Sequence, residues 1–296
     1  MKTIICFGEV LWDTYPNKIE IGGAPFNVFH RLHSFGIDVN FISSVGNDEL
    51  GNNIVDHFKK NNLNTNFLNL DKNYQTGQVM ISLKSGEPEY DILENVAWDY
   101  IPFKKDYLKN NNYFDCIVYG SLGIRNDVSY MTLKRLLSFS KFKIFDLNIR
   151  QNFYSKSKVN FLLNESDFLK TNMEELLKLG SLFKFKYSDI KTLIVSIFLK
   201  FNLKFICITN GSINSSMYDG KNFVTIKSYN VKSVDNLGAG DNFLASLINE
   251  FFIKKNSIKN SLKIASAYGA ITTTKIGATP TIKPNEIIKF LKKYNY

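Results

Sequence analysis

Apolar positions along this chain follow two periods, and the boundaries between them divide it into elements. Short apolar runs at 3–7, 39–45, 115–119, 143–145, 167–171 and 203–208 read as buried strands. Helical spacing is predicted from about 24 to 36, then over 50–60, 129–138, 173–179, 243–252, 257–274 and 285–292. Strands alternating with helices predict an α/β fold. The pattern changes between 66 and 95, where runs at 67–70, 79–83 and 90–93 are separated by Asn, Gly and Pro with no helix between them. With 12–21 they predict a small sheet that would cover a ligand and exclude water. The alternative is extra edge strands on the main sheet. The expected organisation is a main α/β domain over 1–11, 22–65 and 96–296, with a β lid over 12–21 and 66–95. A hairpin is predicted from 215–218 and 223–226 through Asp219-Gly220.

One stretch carries the most chemistry: Val234-Asp235-Asn236-Leu237-Gly238-Ala239-Gly240-Asp241-Asn242-Phe243. It reads as a tight turn feeding a helix whose apolar face holds Phe243, Leu244, Leu247, Ile248 and Phe251. Gly238, Ala239 and Gly240 would present backbone N–H groups at the positive end of that helix, where anions bind. Asp241 would repel a bound phosphate unless it took a proton from an attacking hydroxyl. The stretch therefore points to phosphoryl transfer onto a small molecule.

Further candidates lie at predicted strand exits, where open α/β sheets place ligands. Asp13 follows the first strand and is equally a sugar-hydroxyl acceptor or a turn carboxylate. Gly22-Gly23-Ala24-Pro25-Phe26-Asn27 opens a helix, with Pro25 suited to its first turn. Gly23 allows close backbone approach, and Asn27 faces outward from that turn. His30 and His33 lie in the same helix without a third ligand nearby, which favours packing or solvation over metal. Asp146, Asn148 and Arg150 alternate along the exit of another strand, with Arg150 placed to meet a phosphate or sugar hydroxyl. Asn172 and Glu175 form a capping box, a reading balanced against a role in holding Mg²⁺-bound waters. Thr209 and Gly211, at a later strand exit, can approach the terminal phosphates of a nucleotide.

Lys and Arg exceed Asp and Glu by 37 − 27 = 10 across the 296 residues. The excess is scattered lysine rather than clustered arginine and reads as compositional bias, so no nucleic-acid partner is expected. No run of about 18 apolar residues is present, so no membrane span is expected. The opening apolar run is too short for a signal peptide and lacks a processing site. Cys6, Cys116 and Cys207 each sit in apolar runs, as reduced core thiols of a cytoplasmic protein do.

At Gly22-Gly23-Ala24-Pro25-Phe26-Asn27, Asp146-Leu147-Asn148-Ile149-Arg150 and 235–241, the chain resembles the ribokinase-like (PfkB) carbohydrate kinases, and among them most the fructokinases. The resemblance runs through essentially the whole chain. It implies a Rossmann-like three-layer α/β/α fold with a small β-sheet lid, often dimeric through that lid. It also implies ATP-dependent phosphorylation of a sugar hydroxymethyl group, most of all that of fructose, with Mg²⁺ and often K⁺. Carried over by residue, Asp241 matches the base, Gly238, Ala239 and Gly240 the anion hole, and Arg150 an arginine near the phosphoryl path. Asp13, Gly23 and Asn27 match sugar-binding positions. Asn172 and Glu175 match the element that organises Mg²⁺ and phosphate, and Thr209 and Gly211 the nucleotide loop. Asp235 and Gly277 fall where the family's monovalent-cation site forms. Asn214 replaces a customary glycine, and Asn236 a customary small hydroxyl residue. Two alternatives accompany this reading: a ribose or nucleoside kinase of the same family, and a catalytically weak sugar- or nucleotide-binding regulator.

Overall fold

The computed structural model of the chain describes residues 3–84, 87–108 and 113–294, and the parts of the predicted boundaries that fall on other positions lie outside the described residues. The chain divides into two compact units, Met1–Lys141 and Phe142–Tyr296.

In the first unit, β1 (Ile4–Phe7) leads to β2 (Leu11–Tyr15), β3 (Lys18–Gly22) and helix α1 (Ala24–Ser34). There follow β4 (Val39–Gly46), α2 (Glu49–Lys60), β5 (Leu68–Asp71), β6 (Gln78–Lys84), β7 (Glu87–Ile92), β8 (Cys116–Gly120) and α3 (Asp127–Leu137). Strands β8, β1, β4 and β5 lie side by side in that order, all parallel. Every residue of β1 and β8 is buried, as expected of strands in a parallel sheet covered on its faces. Against this sheet α1 packs Phe29, whose ring lies 5.3 Å from Phe41 of β4 and 5.6 Å from Phe58 of α2. Pro25 stands in the first turn of α1, as its fixed φ predicts.

A separate sheet takes the order β3-β2-β6-β7. The strand at 67–70, expected in that small sheet, is instead β5 and pairs in parallel with β4, Leu68 opposite Ser43. The physical reason is its approach: the chain reaches β5 from β4 through α2, a helical crossover that delivers a parallel neighbour.

The second unit opens with β9 (Lys143–Asp146), α4 (Lys156–Glu165), β10 (Phe168–Asn172), α5 (Met173–Leu182), α6 (Ile190–Lys200) and β11 (Phe205–Asn210). It continues through β12 (Asn214–Tyr218), β13 (Phe223–Lys227), α7 (Ala239–Leu247), α8 (Ile258–Thr273) and α9 (Pro284–Lys293). Strands β9, β10 and β11 are parallel, and β12 and β13 extend them as the predicted antiparallel hairpin. Helix α7 starts at Ala239, earlier than its apolar pattern suggests, and passes at Ile248 into a wider π-helical segment that runs to Ile253. Small residues let α8 approach α7 closely: a Cβ on Gly269 would lie 3.3 Å from the Ala239 carbonyl oxygen. Cys6, Cys116 and Cys207 form no disulfide and are wholly buried. Burial pushes the Cys6 thiol up, and the Cys207 thiol up to about 12.

Candidate active site

The turn before α7 is built by backbone demands. Gly238 caps the helix in a left-handed conformation (φ 68°), and no side chain caps this terminus. A Cβ there would stand 2.8 Å from Ala278 Cα and closer still to its carbonyl oxygen, so only glycine fits. Two side chains fasten the turn to the segment around Ala278. Asp235 accepts from the N–H groups of Leu237 and Gly277, each at 2.9 Å. Asn242, fully buried, donates to the carbonyls of Gly238 (2.7 Å) and Ala278 (2.8 Å). The first N–H groups of a helix have no intrahelical partner, so this fixed terminus is shaped to take an anion. Asp241 stands in the first helical turn and is half-buried rather than packed into hydrocarbon.

Behind the turn lies a buried cluster of charge. Lys170, on β10, pairs with Asp146 at the end of β9, its ammonium 3.0 and 3.3 Å from the two carboxylate oxygens. Burial alone would push the Lys170 ammonium down, but Asp146, Glu175 and Asp241 outweigh it and hold the group above its ordinary value. Burial pushes the Asp146 carboxyl up, Lys170 opposes this, and Asp241 adds repulsion. Past β9 the chain does not continue as an extended strand. Asn148 (φ 38°) and Gln151 (φ 45°) turn it sharply, so the alternation expected of Asp146, Asn148 and Arg150 is broken. Asp146 and Asn148 are buried, while Arg150 is exposed.

Asn172 and Glu175 form the predicted capping box at the start of α5, with bonds of 2.8 and 2.9 Å. Glu175 does more than cap: its other oxygen accepts from the Ile149 N–H at 3.0 Å, fixing the loop that carries Arg150. Burial pushes this carboxyl up.

A cavity of about 680 Å³ lies alongside the turn. It brings Thr209 and Gly211 together with Ala239 and Gly240, and Asn214 and Asn236 also line it. Its wall contains the buried Ser215–Ser266 hydroxyl pair (3.0 Å) and the backbone around Gly269. Ser266 and Gly269 were missed as site residues, since the small side chains of α8 suggest only helix packing.

In the first unit the structure gathers Asp13, Gly23 and Asn27. A Cβ on Gly22 would stand 3.1 Å from the Asp13 carboxyl carbon, and one on Gly23 would stand 3.0 Å from the Glu9 carbonyl carbon. Asn27, buried, donates its N–H to the Gly23 carbonyl at 2.9 Å. Glu9 joins this group, buried just past β1, and was not singled out from the sequence. The signal was a carboxylate directly after Gly8 at a strand exit. The His30 ring packs 6.1 Å from Phe26 and 6.4 Å from His57.

Among the described residues, no group of three or more His, Cys, Asp and Glu side chains could hold a metal ion. No described helix is long and apolar enough to cross a membrane.

A parallel α/β core, a small separate sheet and a glycine turn opening a helix beside a cavity define a sugar-kinase type of architecture. Residues 4–285 match the pfkB family carbohydrate kinase pattern, and the chain belongs to that family. A fructokinase-2 from Oryza sativa subsp. japonica is 26% identical over 94% of this chain and 90% of its own length. The fructokinase from Xylella fastidiosa with bound ATP superposes with a TM-score of 0.86, at 20% identity and 99% coverage of both chains. A double mutant of the Vibrio cholerae O395 fructokinase, in a form with bound fructose, ADP and potassium ion, gives 0.85 at 19% identity and 98% coverage of both chains. The fold is thus the ribokinase-like α/β fold with its small β lid, and the family match sets the chain among the carbohydrate kinases.

Proposed function

We propose that the sugar is fructose and that its hydroxymethyl group receives the γ-phosphoryl group of ATP. The observation that carries this reading is the uncapped helix start at Gly238 with Asp241 in its first turn, beside the cavity that Ala239 and Gly240 share with Thr209 and Gly211. The fructokinases among its relatives support the choice of sugar. Asp13, Gly23 and Asn27 hold the sugar hydroxyls, and Thr209 and Gly211 face the nucleotide. Asp241 takes the proton from the primary hydroxyl as its oxygen bonds to the γ-phosphorus and the bond to the ADP oxygen breaks. The N–H groups at 238–240 stabilise charge on the phosphoryl group in transit, and Arg150 neutralises it from the β9 exit loop.

Mg²⁺, when bound, would draw charge off the nucleotide phosphates. Asn172 and Glu175 suit an indirect role toward it through water, because both Glu175 oxygens already accept backbone N–H bonds. Asp235 ties Leu237 to Gly277, and K⁺ would be held at that junction. The reading extends to a cytoplasmic enzyme that dimerises through its small sheet, with no nucleic-acid partner.

The test is ADP release with fructose, ribose, fructose phosphates and nucleosides as acceptors. Fructose is expected to give the highest kcat/KM, and Asp241→Asn to lower kcat about 10²–10⁴-fold. A preference for ribose or a nucleoside overturns the assignment of the sugar, and unchanged turnover in D241N overturns the role of Asp241.

A further inference from the structure

We infer that the first turn of α2 braces the strand that carries Asp13, and that Trp12 and Thr76 are positioning residues for the sugar through that brace. The inference rests on the kinase reading above and deepens its sugar side. It adds two residues that no motif of the sequence singles out.

Two strands of the small sheet, β2 and β6, run side by side in parallel, with Trp12 opposite Gln78 and Asp13 opposite Val79. Both are fastened near their starts to the same helical turn. On β2, the Trp12 indole N–H donates to the Leu50 carbonyl at 2.9 Å. Just before β6, the Thr76 hydroxyl donates at 2.6 Å to Asp48, the N-cap of α2. The Thr76 backbone N–H donates to the other oxygen of that carboxylate at 2.8 Å. The same hydroxyl accepts from the Gly46 N–H at 3.0 Å, and Asp48 also accepts from the Gly51 N–H at 2.7 Å. A Cβ on Gly51 would stand 2.8 Å from the Thr76 hydroxyl oxygen, so glycine there lets the buried threonine seat. Burial pushes the Asp48 carboxyl up, but the bonds from Thr76 and Gly51 outweigh it and hold the group below its ordinary value. The acceptor is therefore charged at neutral pH, which makes these the stronger kind of hydrogen bond.

Successive side chains of a strand point to opposite faces. Trp12 turns one way to reach α2, and Asp13 turns the other, toward Gly22, where a Cβ would stand 3.1 Å from its carboxyl carbon. Trp12 thus sets the backbone from which Asp13 projects without sharing its face. Pairing with β3 and β6 fixes Asp13 within the small sheet, and the brace fixes that sheet to α2. A group misplaced by about 1 Å loses a large part of its effect on a ligand.

The experiment titrates full-length wild type, W12F, T76V and T76S with fructose by calorimetry, with ribose and adenosine run alongside, and records steady-state kinetics. W12F keeps a ring and loses the donor. T76V keeps the shape and loses the hydroxyl, which T76S restores. Fructose is expected to bind W12F and T76V about 2–10-fold more weakly, the usual net effect of one hydrogen bond, and T76S as it binds wild type. KM for fructose should rise with Kd, while kcat and KM for ATP stay within about twofold, the pattern of a lost binding interaction. A second readout follows the bond itself. The chain has two tryptophans, so loss of a signal in W12F identifies the Trp12 indole N–H in ¹H–¹⁵N NMR. By linkage, bound sugar is expected to slow hydrogen exchange of that N–H. Wild-type sugar affinity in either W12F or T76V overturns the inference, as does a loss that T76S shares with T76V. Where T76V fails to fold, W12F decides. Wild-type protein that binds none of the three acceptors overturns the sugar reading itself and takes the inference with it, whereas binding that ignores the substitutions overturns the inference alone.

Discussion

The side-chain amide of Asn242 donates to the carbonyl of Ala278 at 2.8 Å, across a sequence separation of 36 residues. The residue beside the proposed base therefore fastens the glycine turn to the segment that precedes the last helix. Asp235 makes a second fastening through Gly277. The turn owes its shape to these ties as much as to its own glycines.

Asn242→Ala removes the side-chain donor to the buried Ala278 carbonyl, whereas the Gly238 carbonyl keeps the Asn242 N–H at 2.8 Å. One newly unsatisfied buried acceptor costs about 1–3 kcal/mol. The variant should lose that much in urea unfolding, and a loss below about 0.5 kcal/mol would show that the tie is dispensable.

Gly238 and Gly211 both adopt positive φ, 68° and 50°, but their surroundings differ. A Cβ on Gly211 meets nothing within 4 Å, whereas one on Gly238 collides with the backbone of Ala278. Gly211→Ala should cost about 1–2 kcal/mol, the ordinary strain of an L-residue in that conformation. Gly238→Ala should cost clearly more and abolish turnover, because a backbone neighbour cannot swing aside. Thermal denaturation and ADP release measure both, and equal behaviour of the two variants would contradict the crowding argument.

His30 is held down to about 4, chiefly by burial and then by Arg31, His57 and His33. His57 is also lowered, by burial first and Lys60 second. In the unfolded chain both would titrate near their usual value of about 6.5. Between that pH and about 4 the unfolded state binds more protons, so stability falls as the solution is acidified through this window. His30→Gln should flatten the dependence of the urea midpoint on pH between 7 and 5, and a slope equal to wild type would remove His30 from the account.

Much of the site was legible because it is written in residues with few other uses. The order Gly-Ala-Gly-Asp demands a tight turn and a bare helix start, and Gly22-Gly23 before Pro25 demands close approach and a helix. Lys170 was not legible. It sits within a short strand after Phe168 and Leu169, and its partner Asp146 lies 24 residues earlier, joined to it only by strand pairing. Ser266 and Gly269 escaped for a similar reason, since small residues on a helix fit packing and cavity walls equally well. Helix α6 was missed because Ile190-Lys191-Thr192-Leu193-Ile194-Val195-Ser196-Ile197-Phe198 is too uniformly apolar to show a clear period. Its start is fixed locally, by Asp189 accepting from the Thr192 N–H at 2.9 Å. Strand β5 was assigned to the wrong sheet because alternation reports a strand but not its neighbour.

The three sealed thiols give the molecule a built-in record of its own opening. Cys6 and Cys116 belong to the first unit and Cys207 to the second, and all three are closed to reagents in the folded state. A maleimide can tag each only while its strand is breached, so peptide-resolved tagging rates time the breathing of the two halves separately, with no label engineered in.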